Sequence, residues 1–292
     1  MDDRVRTPSR ITFAGELQEE LCEELAALAQ RRIAGFSDDR PVNVALVRSR
    51  LTNALTGTPP VLAVARKEGR LIGWCGVRRP EPGEARARLW GPVVDPAAGG
   101  RGLGRLLLNT VVGAVPWPLV TTDVPADRPG AAGFFTRAGW EAGETITVMH
   151  TPPTDSGLEA ATAEGASALD AFVAAAARRY AGHEEGFAMA TLARWRDDAR
   201  FRAGNLLLDP KTGSLLLALV QRNTAASELL LAEVWADAPD VRRHLIGAAI
   251  TLAARQQVAA VRAVTRQDPA DFVACGMAVT GRCNTFTPPG QR

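Results

Sequence analysis

The chain contains 292 residues, of which 46% are hydrophobic and 23% are charged, and its formal net charge is +2. This length fits one large domain or two domains of ordinary size. The apolar runs are short, whereas a membrane span requires roughly 20 consecutive apolar residues. The arginines are dispersed among acidic residues, whereas nucleic-acid binding usually needs a concentrated basic face. Composition therefore predicts a soluble protein with no membrane and no nucleic acid as its partner.

The N-terminus and the cysteines bear on location and on metals. Residues 1–4 include two acids and lead into no apolar core, so we expect no secretion signal and a cytoplasmic location. The four cysteines, Cys22, Cys75, Cys275 and Cys283, show no C-x-x-C spacing. The three histidines are too scattered to complete a zinc site with them. The sequence thus predicts no bound metal.

The first half of the chain begins with two segments of helical periodicity and continues with short apolar runs typical of strands. A turn at 67–70 contains Gly69 and separates two of these runs, as in a hairpin. The elements predicted in the first half are helices over 16–30 and 43–55, strands over 61–66, 71–78 and 85–94, a helix over 103–115, a strand over 119–123, a helix over 129–138 and a strand over 140–150.

Residues 151–157 are proline, glycine and small polar residues, a composition typical of a linker. The same order of elements follows it, which predicts two copies of one domain, at 1–152 and 158–292. Chance agreement between coarse assignments is the alternative. The elements predicted in the second half are helices over 166–180 and 187–198, strands over 205–208, 214–221 and 228–235, a helix over 241–256, a strand over 258–265, a helix over 269–276 and a strand over 278–287.

A glycine-rich turn over 99–104 joins a predicted strand directly to a predicted helix. Glycines allow the chain to turn tightly and expose successive backbone N–H groups. These donors, together with the positive end of the helix dipole, suit a pyrophosphate. An ordinary strand-to-helix connection is the plain alternative. A dinucleotide fingerprint would follow the first strand of a βαβ unit, but three strands precede this turn, and no Gly-Lys-Ser/Thr of a Walker A loop follows it.

Two motifs carry a resemblance to a known family. The pattern V-D-P-x-x-x-G-R-G-L-G-R-L-L-L, which starts at Val94, resembles the coenzyme A signature of the GNAT acyltransferase superfamily. Residues 131–140 (AAGFFTRAGW) resemble its second signature, a helix followed by glycine and an aromatic residue. The resemblance implies an α+β fold of two tandem GNAT-like domains, each a mixed, mostly antiparallel sheet flanked by helices. This two-copy plan is similar to that of mycothiol synthases and of some antibiotic-cluster acetyltransferases.

The resemblance also implies an acyl-CoA-dependent N-acetyltransferase. It would move an acetyl or other short acyl group from coenzyme A, as acetyl-CoA, to a primary amine of a small molecule, and would act as a monomer or homodimer. Val93 and Val94 would contact pantetheine, and residues 100–105 would hold the pyrophosphate. Core packing and solvated charge are the structural alternatives. The residues expected at the coenzyme A site are Pro92, Val93, Val94, Gly99, Gly100, Arg101, Gly102, Leu103, Gly104, Arg105, Arg128 and Phe134.

The chain departs from the family pattern at several positions around this site. Gly99 stands where relatives commonly have Arg or Gln, and Arg128 stands where they often have Asn. Phe135 replaces the tyrosine that often protonates the leaving thiolate. Many relatives also have a glutamate that serves as a base on the strand before the glycine-rich turn. The corresponding segment here, 85–94, carries Arg86 and Arg88 instead. We therefore expect catalysis by proximity and carbonyl polarisation.

Three residues remain as candidates for proton transfer or nucleophilic attack. Asp95 and Asp123 are the acids nearest to strand ends, although turn or cap chemistry also explains them. Cys75 has a nucleophilic thiol, although a lone strand cysteine more commonly packs in the core. No catalytic acid or base is assigned from the sequence.

The second half contains a stretch, 237–245, that corresponds to the glycine-rich turn but contains no glycine. Asp237 and Asp240 would repel phosphate there, so we expect a degenerate copy that does not bind coenzyme A in the usual way. Trp235 is a candidate to fill the vacant groove. Glu228 and Glu233 could face an amine substrate, although a solvent-facing role is the alternative. His244 is expected to be a solvated helix-surface residue.

Two other classes of function compete with the transferase. A non-catalytic acyl-CoA sensor or scaffold would keep the glycine-rich turn and lose proton-transfer groups, and Phe135 is compatible with that. A nucleotide-binding module would use the turn for a different diphosphate. No motif identifies the acceptor.

Overall fold

A computed structural model describes residues 10–33, 42–55, 60–80, 86–162, 200–222 and 227–290, together with positions 174, 175, 178, 193, 195 and 198. The first half begins with a strand and two helices: β1 (Arg10–Phe13), α1 (Glu19–Ile33) and α2 (Val44–Leu55). The elements that follow are β2 (Leu62–Lys67), β3 (Arg70–Arg78), β4 (Ala87–Val94), the 3-10 turn Pro96–Ala98, α3 (Leu103–Ala114), β5 (Val120–Pro125), α4 (Pro129–Arg137) and β6 (Glu141–Thr151).

The described elements of the second half repeat, after a short first strand, the succession of strands and helices that runs from β2 to β6 in the first half. Its described elements are β7 (Ala161–Thr162), the 3-10 turn Ala203–Asn205, β8 (Leu206–Asp209), β9 (Ser214–Arg222), β10 (Ser227–Trp235), α5 (Pro239–Arg255), β11 (Ala260–Thr265), α6 (Ala270–Ala274) and β12 (Ala278–Thr287). The helices predicted over 166–180 and 187–198 lie almost entirely outside the described residues.

The chain divides into two compact units. The described residues of the first unit are 10–33, 42–55, 60–80, 86–143 and 284–290, and those of the second are within 144–283. The first unit thus includes the end of β12, and the second includes most of β6. The two domain copies expected from the sequence, at 1–152 and 158–292, stay a prediction. The compact units differ from these bounds because the end of β12 belongs to the first unit and most of β6 belongs to the second.

Each unit contains an antiparallel meander followed by one parallel pair. In the first, β1-β2-β3-β4 are antiparallel and β4-β5 are parallel. In the second, β7-β8-β9-β10 are antiparallel, β10-β11 are parallel, and β11-β6 are antiparallel. The expected α+β fold with mixed, mostly antiparallel sheets is therefore confirmed. The structure adds the short strands β1 and β7, which the sequence analysis missed.

Strand β3 lies at the centre of the first unit and is buried along nearly all its length. Two glycines let helices approach it closely on opposite faces. A Cβ at Gly73 would lie 3.0 Å from a methyl carbon of Leu107 in α3, and a Cβ at Gly76 would lie 2.9 Å from one of Leu51 in α2. Residues three apart in a strand point to opposite faces, so α3 and α2 cover the two sides of the sheet.

Helix α3 packs through one stripe, because its buried residues recur at helical spacing: Leu103, Leu107, Leu108 and Val111. Leu107 is 0% exposed, whereas its neighbour Leu106 is 54% exposed. We expect Leu107→Ala to lower the free energy of unfolding by about 2 to 5 kcal/mol, because it leaves a cavity against β3.

Leu106→Ala is the matched control, since it removes the same atoms from the solvent side of the same helix and should change stability by no more than about 0.5 kcal/mol. Urea denaturation followed by tryptophan fluorescence measures both. Equal losses in the two variants would contradict the packing of α3 described here.

Candidate functional site

Strands β4 and β5 separate soon after they begin. Among the described residues they are bridged only at the pairs Ala87–Val120 and Arg88–Thr121. On its other side, β4 has a bulge: Trp90 pairs with Gly76 and Val93 with Trp74, so Gly91 and Pro92 together lie opposite Cys75. Bulges bend a strand and re-aim its backbone. The edge of β4 that faces β5 is consequently open towards its C-terminal end.

The glycine-rich turn lies directly after this open edge. Gly100 and Gly102 have φ of 73° and 80°, the left-handed region that favours glycine. Within the described residues, no backbone N–H from Gly100 to Arg105 donates to a protein acceptor. A Cβ at Gly100 or Gly102 would meet nothing within 4 Å, so the space beside the turn is open. Free N–H groups at the positive end of α3 make a binding site for an anion.

Three of the predicted site residues come together in one wall. A Cβ at Gly104 would lie 3.3 Å from Cε2 of Phe134 and 3.7 Å from Cγ of Pro92. Phe134 belongs to α4 and Pro92 to the bulge of β4, so Gly104 is the position where α3 passes close to both. Their apolar side chains border the turn, as the contact of a pantetheine chain would require.

The other predicted residues of the turn divide between packing and solvent. Val93 and Leu103 are buried, and Val94 is half-buried. Arg101 and Arg105 are exposed and form no ion pair within the described part of the chain. Gly99 has an extended backbone, with φ −65° and ψ 164°, so its place does not need the left-handed conformation.

Asp95 serves the turn as a structural cap. It is 6% exposed, its Oδ1 accepts a hydrogen bond from the N–H of Ala97 at 2.9 Å, and its Oδ2 accepts one from Arg70 at 2.6 Å. Both carboxylate oxygens are therefore engaged in holding the 3-10 turn. Asp123 is exposed on β5, and its Oδ1 accepts a hydrogen bond from the hydroxyl of Thr285 at 2.9 Å. Its catalytic role stays a prediction.

Phe135 belongs to the hydrophobic core. It is 4% exposed, and its ring centroid lies 5.2 Å from those of Phe134 and Trp140 and 5.7 Å from that of Phe286. A phenyl ring has no proton to donate to a leaving thiolate. This position therefore contributes packing.

Arg128 lies immediately before α4 and is half-buried. Burial lowers the pKa of its guanidinium below the ordinary value, and the positive charge of Arg32 lowers it further. Arg32 is in the last turn of α1 and was not among the residues predicted from sequence. The only signal for it was a pair of basic residues, Arg31 and Arg32, at the end of an amphipathic helix.

The second unit has a similar strand separation, but its own side chains fill it. Bridges between β10 and β11 extend from Glu228–Ala260 to Leu231–Ala263, and β10 has a register shift between Leu231 and Glu233. Beyond that point the amide Nε2 of Gln267 donates to the carbonyl of Val234 at 3.0 Å. The backbone edge that corresponds to Val93 is therefore already bonded.

The turn after β10 is short and occupied. It comprises residues 236–238, whereas the turn after β4 comprises residues 95–102. Arg242 donates to the carbonyl of Ala236 through Nε at 3.0 Å and Nη2 at 2.6 Å, and to Asp271 at 2.6 Å. The guanidinium of Arg242 thus lies against the turn after β10, whereas the space beside the glycine-rich turn of the first unit is open.

The remaining polar residues suggested in the second half have ordinary environments. Nε1 of Trp235 donates to Glu233 at 3.0 Å, and both side chains are half-buried. Glu228 is half-buried on β10, and His244 is exposed on α5. A role for either glutamate towards an amine stays a prediction.

In the parts of the chain that the structure describes, no three His, Cys, Asp or Glu side chains are grouped as metal ligands. No described helix is both long enough and apolar enough to span a bilayer.

Comparisons with known proteins agree with this geometry. Residues 23–140 match the family model described as acetyltransferase (GNAT) family. A GCN5-related N-acetyltransferase from Sphaerobacter thermophilus superposes with a TM-score of 0.72 at 15% identity, covering 96% of this chain and 95% of that one. The chain has a GNAT fold. No curated protein matches the sequence.

Two further structures bear on the two-copy plan and on the extent of the GNAT fold. A tandem GNAT protein from the clavulanic acid biosynthesis pathway has a TM-score of 0.62 at 16% identity, with 96% and 98% of the two chains covered. The glucosamine N-acetyltransferase region of a fungal multi-domain β-N-acetylglucosaminidase has a TM-score of 0.72 at 12% identity, with 97% and 38% covered. The tandem plan is supported, and the likeness to mycothiol synthases stays a prediction. The family model covers the glycine-rich turn and ends before the second unit.

The cysteines provide a test of the site that needs no ligand. Cys75 and Cys22 are 0% exposed, and burial raises the pKa of the Cys75 thiol far above its usual range. Cys275 and Cys283 are half-buried. We expect Ellman's reagent to titrate Cys283 in the native protein, Cys275 more slowly because burial raises the pKa of its thiol too, and Cys75 only after denaturation, because the thiolate is the reactive form.

Cys75→Val should leave the native thiol titration unchanged, and Cys283→Ser, the matched control, should remove one reactive thiol from it. Rapid native reaction of Cys75 would contradict its burial and would restore it as a candidate nucleophile.

Proposed function

We propose that this protein is an N-acyltransferase that uses the first unit to bind acetyl-CoA, or another short acyl-CoA, and to transfer the acyl group to a primary amine of a small molecule. The observation that carries the proposal is the row of free N–H groups from Gly100 to Arg105 beside open space. The match of residues 23–140 to the GNAT family supports the choice of coenzyme A as the anion that binds there.

The first unit offers groups for each part of coenzyme A. The N–H groups of the turn, with the exposed charges of Arg101 and Arg105, would hold the pyrophosphate. The open edge of β4 at Val93 and Val94 would hydrogen-bond the pantetheine amides, as an added strand would. Pro92 and Phe134 would cover its apolar part. When bound, the coenzyme supplies a thioester as the acyl donor.

The chain's own contribution to the reaction is placement. Holding two reactants in a near-attack geometry can supply several kcal/mol of the activation free energy. Backbone N–H groups at the open edge could polarise the carbonyl, which stabilises the charge that develops on its oxygen. A neutral amine must attack, and an amine of pKa about 10 costs roughly 4 kcal/mol to deprotonate at pH 7. Asp123 is the remaining acidic candidate for accepting that proton.

Gly102→Val tests the binding site. The variant places a branched side chain in the open space at a φ of 80°, so we expect the dissociation constant for acetyl-CoA to rise at least about tenfold. Gly139→Val is the control, because Gly139 has a φ of 85° and equally open surroundings but lies in the turn after α4. Calorimetric titration with acetyl-CoA measures both.

Acetyl-CoA affinity that survives Gly102→Val would contradict the proposed site. Thiol release from acetyl-CoA in the presence of a panel of primary amines tests turnover separately. Tight binding without thiol release from any amine would contradict the transferase part of the proposal and leave the coenzyme site standing.

A second experiment tests whether one unit alone binds the coenzyme. We expect one molecule of acetyl-CoA per chain, because Arg242 and Gln267 already bond the groups that a second molecule would need. Arg242→Met, which keeps most of the side-chain volume, should leave the affinity of the first unit for acetyl-CoA unchanged. Two molecules per wild-type chain, or loss of this affinity in the variant, would contradict the assignment of the site to the first unit.

A further inference from the structure

Two half-buried arginines of the first unit, one at the end of α1 and one directly before α4, interact electrostatically. Arg32 is in the last turn of α1, and Arg128 directly precedes α4. Both side chains are half-buried, and the charge of Arg32 is felt at Arg128, where it lowers the pKa. The guanidinium atom Nε of Arg32 is buried and has no hydrogen-bond partner within the described residues. Arg128 has further contacts of its own, so the unpartnered polar atom of the pair is Nε of Arg32.

A bound anion would stabilise this pair of arginines. Two like charges near each other in a partly desolvated place repel, and the repulsion grows as the effective dielectric constant falls. A buried N–H without an acceptor adds the desolvation penalty of that group. A carboxylate or phosphate would reduce both costs, because its oxygens accept from guanidinium groups in a paired, planar geometry.

The position of the pair relates it to the proposed active site. Strands β4 and β5 are parallel, so their C-terminal ends lie at the same edge of the sheet. The glycine-rich turn follows β4 at this edge, and Arg128 follows β5 after the short turn at 126–127. Arg32 comes from α1, an element that does not contribute to the turn. Arg128 therefore follows a strand that ends at the edge where the acyl group would be transferred, and the charge of Arg32 acts on it from an element outside the cradle for pyrophosphate.

We propose that Arg32 and Arg128 bind an anionic group, a carboxylate or a phosphate, of the amine that accepts the acyl group. This inference rests on the proposed function, because it identifies the second substrate of the same site. It assigns Arg128, which the sequence pattern placed with coenzyme A, to the acceptor. The substrate class is then an amine that also carries a negative charge, such as an amino acid or an aminoalkyl phosphate.

The phosphates of coenzyme A are another source of the same chemistry, so the experiment separates the two. Matched pairs of amines are titrated calorimetrically into protein saturated with coenzyme A: amino acids against their carboxamides, and aminoalkyl phosphates against the corresponding amino alcohols. Inorganic sulfate is titrated as an anion without an amine. We expect the anionic member of at least one pair to bind about tenfold or more tightly than its neutral partner, and sulfate to compete with it.

Variants then assign the preference to the pair. Arg32→Met should abolish the preference for the anion while changing the affinity for acetyl-CoA by no more than about twofold, and Arg32→Lys should keep part of the preference because it keeps the charge. Arg31→Met is the matched control: it removes an exposed charge from the adjacent position of the same helix and should change neither quantity.

Three outcomes would overturn the proposal. One is equal affinity of wild-type protein for the two members of every pair, or no detectable binding of any amine or of sulfate. Another is a tenfold or greater loss of acetyl-CoA affinity in Arg32→Met, which would assign the pair to coenzyme A. The third is loss of the preference in Arg31→Met as well, which would indicate a diffuse effect of net charge. Failure of acetyl-CoA to bind wild-type protein would instead contradict the proposed function.

Discussion

The candidate site depends on the early end of pairing between β4 and β5. Parallel strands in a sheet normally satisfy each other's backbone groups along their shared length. Here the described bridges stop at Arg88 and Thr121, and the bulge at Gly91 and Pro92 bends β4 immediately afterwards. Backbone groups left at such an edge need partners from solvent or from a ligand. The glycine-rich turn adds further free N–H groups beside this edge, so one interruption of the sheet creates both parts of the proposed coenzyme site.

The two units show that strand separation alone does not make a coenzyme site. In the second unit, β10 and β11 also part after a few bridges, yet Gln267 bonds the exposed carbonyl of Val234 and Arg242 bonds that of Ala236. A ligand would have to displace intramolecular hydrogen bonds, one of them charge-assisted. In the first unit, the N–H groups of the glycine-rich turn have no protein acceptor among the described residues. The difference between the units is therefore whether the protein supplies its own partners.

Local patterns predicted the fold well because most of the described elements have a clear period, and Gly100 and Gly102 adopt a backbone that other residues rarely adopt. Strands β1 and β7 were missed because they are short and mostly exposed, so alternation is weak. The exchange of strand segments between units and the pairing of Asp95 with Arg70 were also missed. Both depend on contacts between residues distant in sequence, and no local period encodes them. Arg32 was missed for the same reason.

A missing acid and a missing base would have unequal consequences for aminolysis of a thioester. A thiol has a pKa of about 8.5, so a thiolate leaves readily near neutral pH, and the phenyl ring of Phe135 at the position of an acid need not be limiting. The ammonium form of the acceptor is the greater obstacle. In the proposed arrangement, Arg32 and Arg128 together carry one positive charge more than a carboxylate that they bind. This excess charge disfavours a nearby ammonium and lowers the pKa of the amine, and each unit of lowering removes about 1.4 kcal/mol from the deprotonation cost. The same pair that selects an anionic acceptor would thereby promote its reactive form.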